Sequence, residues 1–253
     1  MTNFIFCGAG GRMCRATMEI ADKSDRYNMV AGIDIIDIPN FSKPLYKSIS
    51  DCKEAADVII DFSHHSVVAS ILEYAKEKKI PVIIATTGHD QSELDLIKEA
   101  SKTVPIFHSG NFSLGINLLI ELAKKATSFL GLDADIEIVE AHHNKKLDAP
   151  SGTALMIANE ISGVLPQKPE YKYDRTTERQ MRPKNEIGIH SIRAGTIVGE
   201  HSVIFGCNNE VINISHSAAS RDVFANGALR AAEFIKDKPA GMYTMSDMLN
   251  LEV

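Results

Sequence analysis

The segment IVEAHHNKKLDAPSGTA brings His142, His143 and Lys146 together between a predicted strand and a predicted helix. Histidine gives or takes a proton near neutral pH, and lysine pairs with a carboxylate or serves as an acid. Reducing a polarised double bond requires both jobs. Pro150 and Ser151 stand at a helix start, which aims the N–H groups of Gly152 and Thr153 at an anion, most simply a carboxylate. A second chemistry is written near the N-terminus, where the apolar run NFIFC leads into GAGGRMCR and then a helix. In that context a glycine-rich turn lets backbone N–H groups approach a pyrophosphate, and the helix end adds positive potential. One strand later, YNMVAGID ends on Asp34, where a dinucleotide fold places an acid that binds the adenine ribose hydroxyls. Ile35 follows, with no adjacent cation to offset the repulsion of a 2′-phosphate. NADH is therefore expected to serve at least as well as NADPH.

A metal reading competes, because Glu140, His142 and His143 are ligand types and His64 with His65 forms another pair. Adjacent histidines on a strand point to opposite faces, so His142 and His143 alone do not chelate one ion. No metal site is expected. His64 and His65 read as a βα loop, solvated or bordering the cofactor.

Short β-branched runs alternating with helical stretches must position these residues. Val58 to Ile60 and Val82 to Ala85 lack a polar face, as parallel strands covered on both sides do. A helix from Ser66 shows apolar residues at helical spacing and closes on a run of charges, Lys76 to Lys79. Beyond Asn111 come a long helix from Leu114 to Leu130, the strand ADIEIVEAHH and a helix starting near Ser151. The stretch LPQKPEYKYDRTTERQMRPKNE has few apolar residues and reads as a surface excursion. β-Branched content returns from Ile187 to Ile214, which predicts a mixed or antiparallel sheet. An amphipathic helix from Phe224 to Ile235 follows, and the closing YTMSDMLNL is expected to pack back on the first domain. The fold class is α/β: a Rossmann-type dinucleotide-binding domain over 1–112, an α+β substrate and oligomerisation domain with a mixed sheet over 113–222, and a returning segment over 223–253.

The chain has 253 residues, 44% hydrophobic and 24% charged, a globular composition. Its net charge of -6, from 27 basic and 33 acidic residues, argues against nucleic acid or anionic lipid as partner. No apolar stretch approaches the roughly 20 residues of a membrane span, and the first residues lack the order of a secretory signal. The 4 cysteines, Cys7, Cys14, Cys52 and Cys207, show no CxxC spacing, so reduced thiols and a cytoplasmic location are expected.

GAGGRM, ATTG, GNFSLGIN, EAHHNKKLDAPSGTA, IRAGTIVGEHSVIF and SRDVFANGALRAA, read in that order, resemble the 4-hydroxy-tetrahydrodipicolinate reductase family, formerly called dihydrodipicolinate reductase. The resemblance spans nearly the whole chain, and EAHHxxKxDAPSGTA is its most specific part. It implies NAD(P)H-dependent reduction of a cyclic imine dicarboxylate, with loss of water, in lysine biosynthesis through diaminopimelate. Matched by position, it implies His142 and Lys146 as catalytic, either of them supplying the proton. It implies His143, Gly152, Thr153 and Arg221 at the substrate. Cofactor contacts are implied for Gly8, Ala9, Gly10, Gly11, Arg12, Met13 and Asp34. Ala85, Thr86, Thr87, Ser109, Gly110, Asn111 and Phe112 complete that set. A homotetramer assembled through the β-rich segment is also implied. The chain departs from the family pattern at Cys14 and Ala85, where glycine is expected, and at Ser109-Gly110 before NFS. Two other readings share parts of this pattern. One is another two-domain NAD(P)H dehydrogenase, which would lack the His142 to Thr153 motif; the other is a weakly catalytic NAD(H)-binding sensor.

Overall fold

The computed structural model describes Met1 to Leu249. The described chain divides into two compact units, one built from Met1–Leu114 and residues 221–249, the other from Gly115–Ser220.

The first unit holds strands β1 (Thr2–Cys7), β2 (Tyr27–Ile33), β3 (Leu45–Tyr46), β4 (Val58–Asp61), β5 (Val82–Ile84) and β6 (Pro105–His108). Helices α1 (Arg12–Ala21), α2 (Val68–Lys78) and α3 (Gln91–Ala100) cross between them, as the βαβ reading requires. β1 shows why its sequence is apolar throughout. Phe4 and Phe6 enter a core with Ile60, Phe107 and Leu229, while Ile5 and Cys7 enter the core on the other face with Ile59, Val82 and Ile71. Burying each large side chain contributes roughly 2 kcal/mol. Cys14 lies in the first of these cores, fully buried, and burial together with the Asp34 charge pushes its thiol up to about 12. It is an inert packing group, and all four cysteines are unbridged.

α3 is set by a capping box: the Asp90 carboxylate accepts from the Glu93 N–H at 2.9 Å, and the Glu93 carboxylate accepts from the Asp90 N–H at 2.9 Å.

In the second unit, α4 (Leu114–Leu130) leads to β7 (Asp135–His142), α5 (Gly152–Val164), β8 (Glu170–Lys172), β9 (Glu186–Arg193), β10 (Gly199–Cys207) and β11 (Glu210–Ala218). The sheet order is β11-β10-β7-β9-β8, with β7 parallel to β9 and antiparallel to β10. This is the mixed sheet the sequence predicts. α4 and α5 cover one face through Ile116, Leu119, Ala154 and Ile157 against Ile136, Ile138 and Phe205. The polar excursion is not free of structure. β8 pairs with β9, and Arg182 donates to Glu137 at 2.9 Å and to Asp135 at 2.9 Å, with Arg175 also bridging to Glu137.

The chain then returns to the first unit through α6 (Asp222–Ile235), β12 (Gly241–Tyr243) and α7 (Met245–Leu249). β12 adds a seventh parallel strand beside β6, a three-residue element too short for its periodicity to be read from sequence. Met245 is buried in the first unit's core; Asn250 and Leu251 of YTMSDMLNL, and residues 250–253 of the returning segment, lie outside the described residues.

Candidate active site

The first unit's sheet runs β12-β6-β5-β4-β1-β2-β3, so the strand order reverses between β1 and β4. Ligands of open parallel sheets bind outside the carboxyl ends of strands at such a point. The predicted cofactor residues all follow strand ends. Gly8 to Met13 follow β1, Asp34 follows β2, Ala85 to Thr87 follow β5, and Ser109 to Phe112 follow β6.

Gly8 has φ +90°, and a Cβ placed there would meet the Phe62 carbonyl oxygen at 2.6 Å. Only glycine fits. The turn is tied down by Gly8 and Ala9 N–H donating to the Ile33 carbonyl at 2.9 and 3.1 Å, and Gly11 N–H donating to Gly8 at 3.0 Å. Asp34 accepts from the Gly10 N–H at 2.7 Å and from the Ile36 N–H at 3.1 Å, which fixes its carboxylate beside the turn. α1 begins at Arg12 with no side-chain cap on Gly11 and no acid in its first turn, leaving its N-terminal amides and dipole for an anion. A cleft of about 370 Å³ opens here, lined by Gly8, Gly11, Asp34, Lys47 and Phe62 among others. A smaller cleft of about 300 Å³ is lined by Phe62 to His65 and Ala85 to Thr87. The glycine cradle, the uncapped helix and the anchored acid together fit a dinucleotide.

One expectation changes. A cation does stand near Asp34: Lys47 donates to the Ile35 carbonyl at 3.1 Å and pairs with Asp37 at 2.5 Å. It arrives from the next strand, thirteen residues beyond Asp34, where sequence adjacency does not reveal it. His64 and His65 also line the smaller cleft, with ring centroids 4.2 Å apart, and His65 Nδ1 is bonded to Glu93 at 2.8 Å. They border the cleft, His64 exposed and His65 half-buried. Beneath it Asp61 is buried, and burial raises its carboxyl above the usual range although Ser63 donates to it.

Ser109 to Phe112 form a turn in which Ser109 Oγ donates to the Asn111 carbonyl at 2.8 Å, and the Phe112 ring packs on Phe107 and Phe62. Ser109-Gly110 thus keeps the turn closed. Ala85 donates its N–H to the Asp61 carbonyl at 2.9 Å, while Thr86 is buried and Thr87 exposed.

The second unit gathers His142, His143, Lys146, Gly152 and Thr153 around the end of β7 and the start of α5. Its centre is a residue the sequence reading weighed only as a metal ligand. Glu140 is fully buried and its carboxylate accepts from His142 Nδ1 at 2.6 Å, both terminal nitrogens of Arg193 at 2.8 Å, and the Ser151 N–H at 3.1 Å. A carboxylate buried without partners costs several kcal/mol. Burial opposes its ionisation, yet donors from Arg193 and then His142 outweigh that and hold the carboxyl at about 2. His142 Nε2 is left facing away from Glu140, and a Cβ on neighbouring Gly199 would approach it to 3.2 Å, so glycine keeps that nitrogen accessible.

Arg193 also donates to the Asp148 carbonyl at 2.6 Å, steadying the loop that carries Lys146, whose ammonium pairs with Asp148 at 2.9 Å. His201, unassigned by the sequence, lies buried 5.3 Å ring to ring from His142, with Nε2 3.3 Å from Ser151 Oγ. Burial, then the nearby His142, pulls it down to about 4, so it is neutral. His143 Nδ1 is sheltered and has no partner among the described residues, as is His201 Nδ1. Ser151 caps α5 by accepting from the Ala154 N–H at 3.1 Å, so Gly152 and Thr153 form the helix's first turn, where an anion is favoured. Arg221 belongs to the first unit, exposed at the N-cap of α6. Among the described residues no group of three or more His, Cys, Asp or Glu is arranged to hold a metal, and no helix is long and apolar enough to cross a membrane.

Comparisons with known proteins place the chain in a family. Residues 2–112 match the family model "Dihydrodipicolinate reductase, N-terminus", and residues 115–249 match "Dihydrodipicolinate reductase, C-terminus". The 4-hydroxy-tetrahydrodipicolinate reductase of Caldanaerobacter subterraneus subsp. tengcongensis is 51% identical over 249 residues, covering 98% of each chain. That of Clostridium tetani is 46% identical over 250 residues, covering 99% of this chain and 98% of the relative. Among solved structures, the dipicolinate-bound dihydrodipicolinate reductase from Paenisporosarcina sp. TG-14 shares the fold, with a TM-score of 0.83, 22% identity and 99% of each chain covered. The chain belongs to the dihydrodipicolinate reductase family, an NAD(P)H-dependent oxidoreductase of the 4-hydroxy-tetrahydrodipicolinate reductase type.

Proposed function

We propose that this enzyme reduces (2S,4S)-4-hydroxy-2,3,4,5-tetrahydrodipicolinate to 2,3,4,5-tetrahydrodipicolinate, with loss of water, in the diaminopimelate route to lysine. The observation that carries this reading is the cluster of His142, His143, Lys146 and the α5 N-terminus around buried Glu140, which offers an acid and several anion donors to a dicarboxylate. When bound, the nicotinamide supplies a hydride. The first unit's part is to hold it, with Gly8 to Met13 at the pyrophosphate, Asp34 at the adenine ribose, and Ala85 to Thr87 with Ser109 to Phe112 along the smaller cleft and the end of β6. In the second unit His143 and the Gly152 and Thr153 amides bind substrate carboxylate, and Lys146 counters charge on the ring. His142 delivers the proton from Nε2, because Nδ1 is committed to Glu140. Lys146 Nζ, paired with Asp148, is the rival donor. Arg221, exposed at the N-cap of α6, is a further cation for a substrate carboxylate.

Asp34 disfavours a 2′-phosphate, while Lys47 is engaged by Asp37, so NADH serves at least as well as NADPH. Initial rates with both cofactors test the assignment. A ratio of kcat/KM for NADH over NADPH at or above one is expected; turnover with NADPH alone would contradict it.

The sheet face opposite α4 and α5 carries exposed Val211 and Ile192 and the paired hydroxyls of Ser202 and Ser215. That uncovered face supports a homotetramer assembled through the sheet. A monomer in sedimentation equilibrium would contradict it. Four unbridged cysteines suit a reducing compartment, and the cytoplasm is the proposed location.

A further inference from the structure

Two strands, a loop and a helix start converge on Glu140. It lies on β7 two residues before His142, so the two side chains share a face. Arg193, at the end of β9, pairs in register with His142 and grips the carboxylate through both terminal nitrogens. The same guanidinium holds the Asp148 carbonyl, and Oε1 of the carboxylate also accepts from the Ser151 N–H at the start of α5. One buried anion therefore fixes the ring, the lysine loop and the helix end in a single register.

We propose that Glu140, clamped by Arg193, is the positioning residue of the reaction, fixing His142 as the Nδ1–H tautomer with Nε2 presented to substrate and aligning it with the α5 N-terminus. The inference rests on the reading of His142 as proton donor. A carboxylate on one ring nitrogen fixes which nitrogen carries the proton and stabilises the cation that donates it. Bidentate arginine is suited to this clamp, since its planar fork leaves the anion no rotation. No step of the chemistry touches Glu140 itself.

The charged and titratable groups facing His142 are Glu140 on its own strand, Arg193 on β9, His201 on β10, and Lys146 with Asp148 in the following loop. His216 on β11 acts on His201. Against that set, Glu140→Gln removes only the anion and keeps the shape. Its kcat is expected to fall roughly 100-fold or more, as when a catalytic histidine loses its orienting carboxylate. KM for the imine should change less than tenfold, and the alkaline limb of log kcat against pH should move to lower pH. NADH affinity, read by fluorescence titration, should stay at the wild-type value. Arg193→Lys serves as the control, because it injures the same ion pair but leaves the carboxylate on His142. It should retain the wild-type pH profile with a smaller loss of kcat. Identical losses and identical profiles in the two variants would make the role structural and overturn the proposal.

A measurement on the unmodified enzyme is independent of variant folding and of turnover. In ¹⁵N-histidine-labelled protein, two-bond ¹⁵N–¹H correlations, assigned through loss of the peaks in His142→Asn, should show neutral His142 with its proton on Nδ1. A proton on Nε2 would overturn the inference. Wild-type enzyme that fails to reduce the imine while showing the Nδ1–H tautomer would instead strike the proposed reaction and leave the positioning geometry standing.

Discussion

Replacing Lys146 with alanine is expected to lower kcat by roughly 10² to 10⁴, the range supplied by a positioned acid or a preorganised charge. The side chain is held at its post before substrate arrives. The Lys146 backbone N–H donates to the His143 carbonyl at 3.1 Å, its ammonium sits 2.9 Å from Asp148, and that loop is anchored through Arg193. The ammonium holds the Asp148 carboxyl below its usual range, as an engaged cation would. Alanine removes the charge and leaves the loop's backbone bonds in place, so the loss should fall on turnover. NADH binding, a property of the first unit, should be unchanged in the same preparation. Near-normal kcat in Lys146→Ala would remove Lys146 from the reaction.

Gly8→Ala is expected to weaken NADH binding at least tenfold and to lower the melting temperature. At φ +90° a side chain is strained, and the new methyl would meet Phe62 backbone atoms at 2.6 and 2.9 Å and the Ser63 Cα at 3.1 Å. Backbone cannot swing aside as a side-chain end can. Left-handed strain alone costs roughly 1–2 kcal/mol. For a protein of this size that corresponds to a fall of about 2–8 °C, before any contribution from the clash. Relief of that clash has to separate the β1 turn from the end of β4, the two elements that frame the cleft. Titration of NADH fluorescence alongside thermal unfolding checks both effects. Wild-type affinity in a destabilised protein would place the pyrophosphate elsewhere.

Much of this arrangement is legible in the residues themselves. The all-apolar runs at Val58 and Val82 read as parallel strands because a strand buried on both faces has no polar side to show. The glycine turn and Asp34 are local signals, separated by one βαβ step, and the structure joins them through the Gly10 amide. Cys14 looked like an intrusion at a glycine position and proves to be core packing. What escaped the sequence depends on strand register. Glu140 and Arg193 are 53 residues apart, and only the parallel pairing of β7 with β9 brings them together. The one signal available was an acid inside the apolar strand IEIVEAH, on the same face as His142, since a buried acid must find partners. His201 was hidden in the same way, its approach to His142 set by the antiparallel pairing of β10 with β7. Lys47 reaches the Asp34 turn from β3, a strand of two residues with no pattern to read.

The central claim is that this chain turns over a cyclic imine dicarboxylate at the expense of a reduced nicotinamide. Following NADH absorbance with purified enzyme and freshly generated 4-hydroxy-tetrahydrodipicolinate tests it most directly. The account predicts oxidation of one NADH per imine consumed, saturable in imine and slowed roughly 10²-fold or more in Lys146→Ala; no oxidation under conditions where NADH demonstrably binds would contradict it.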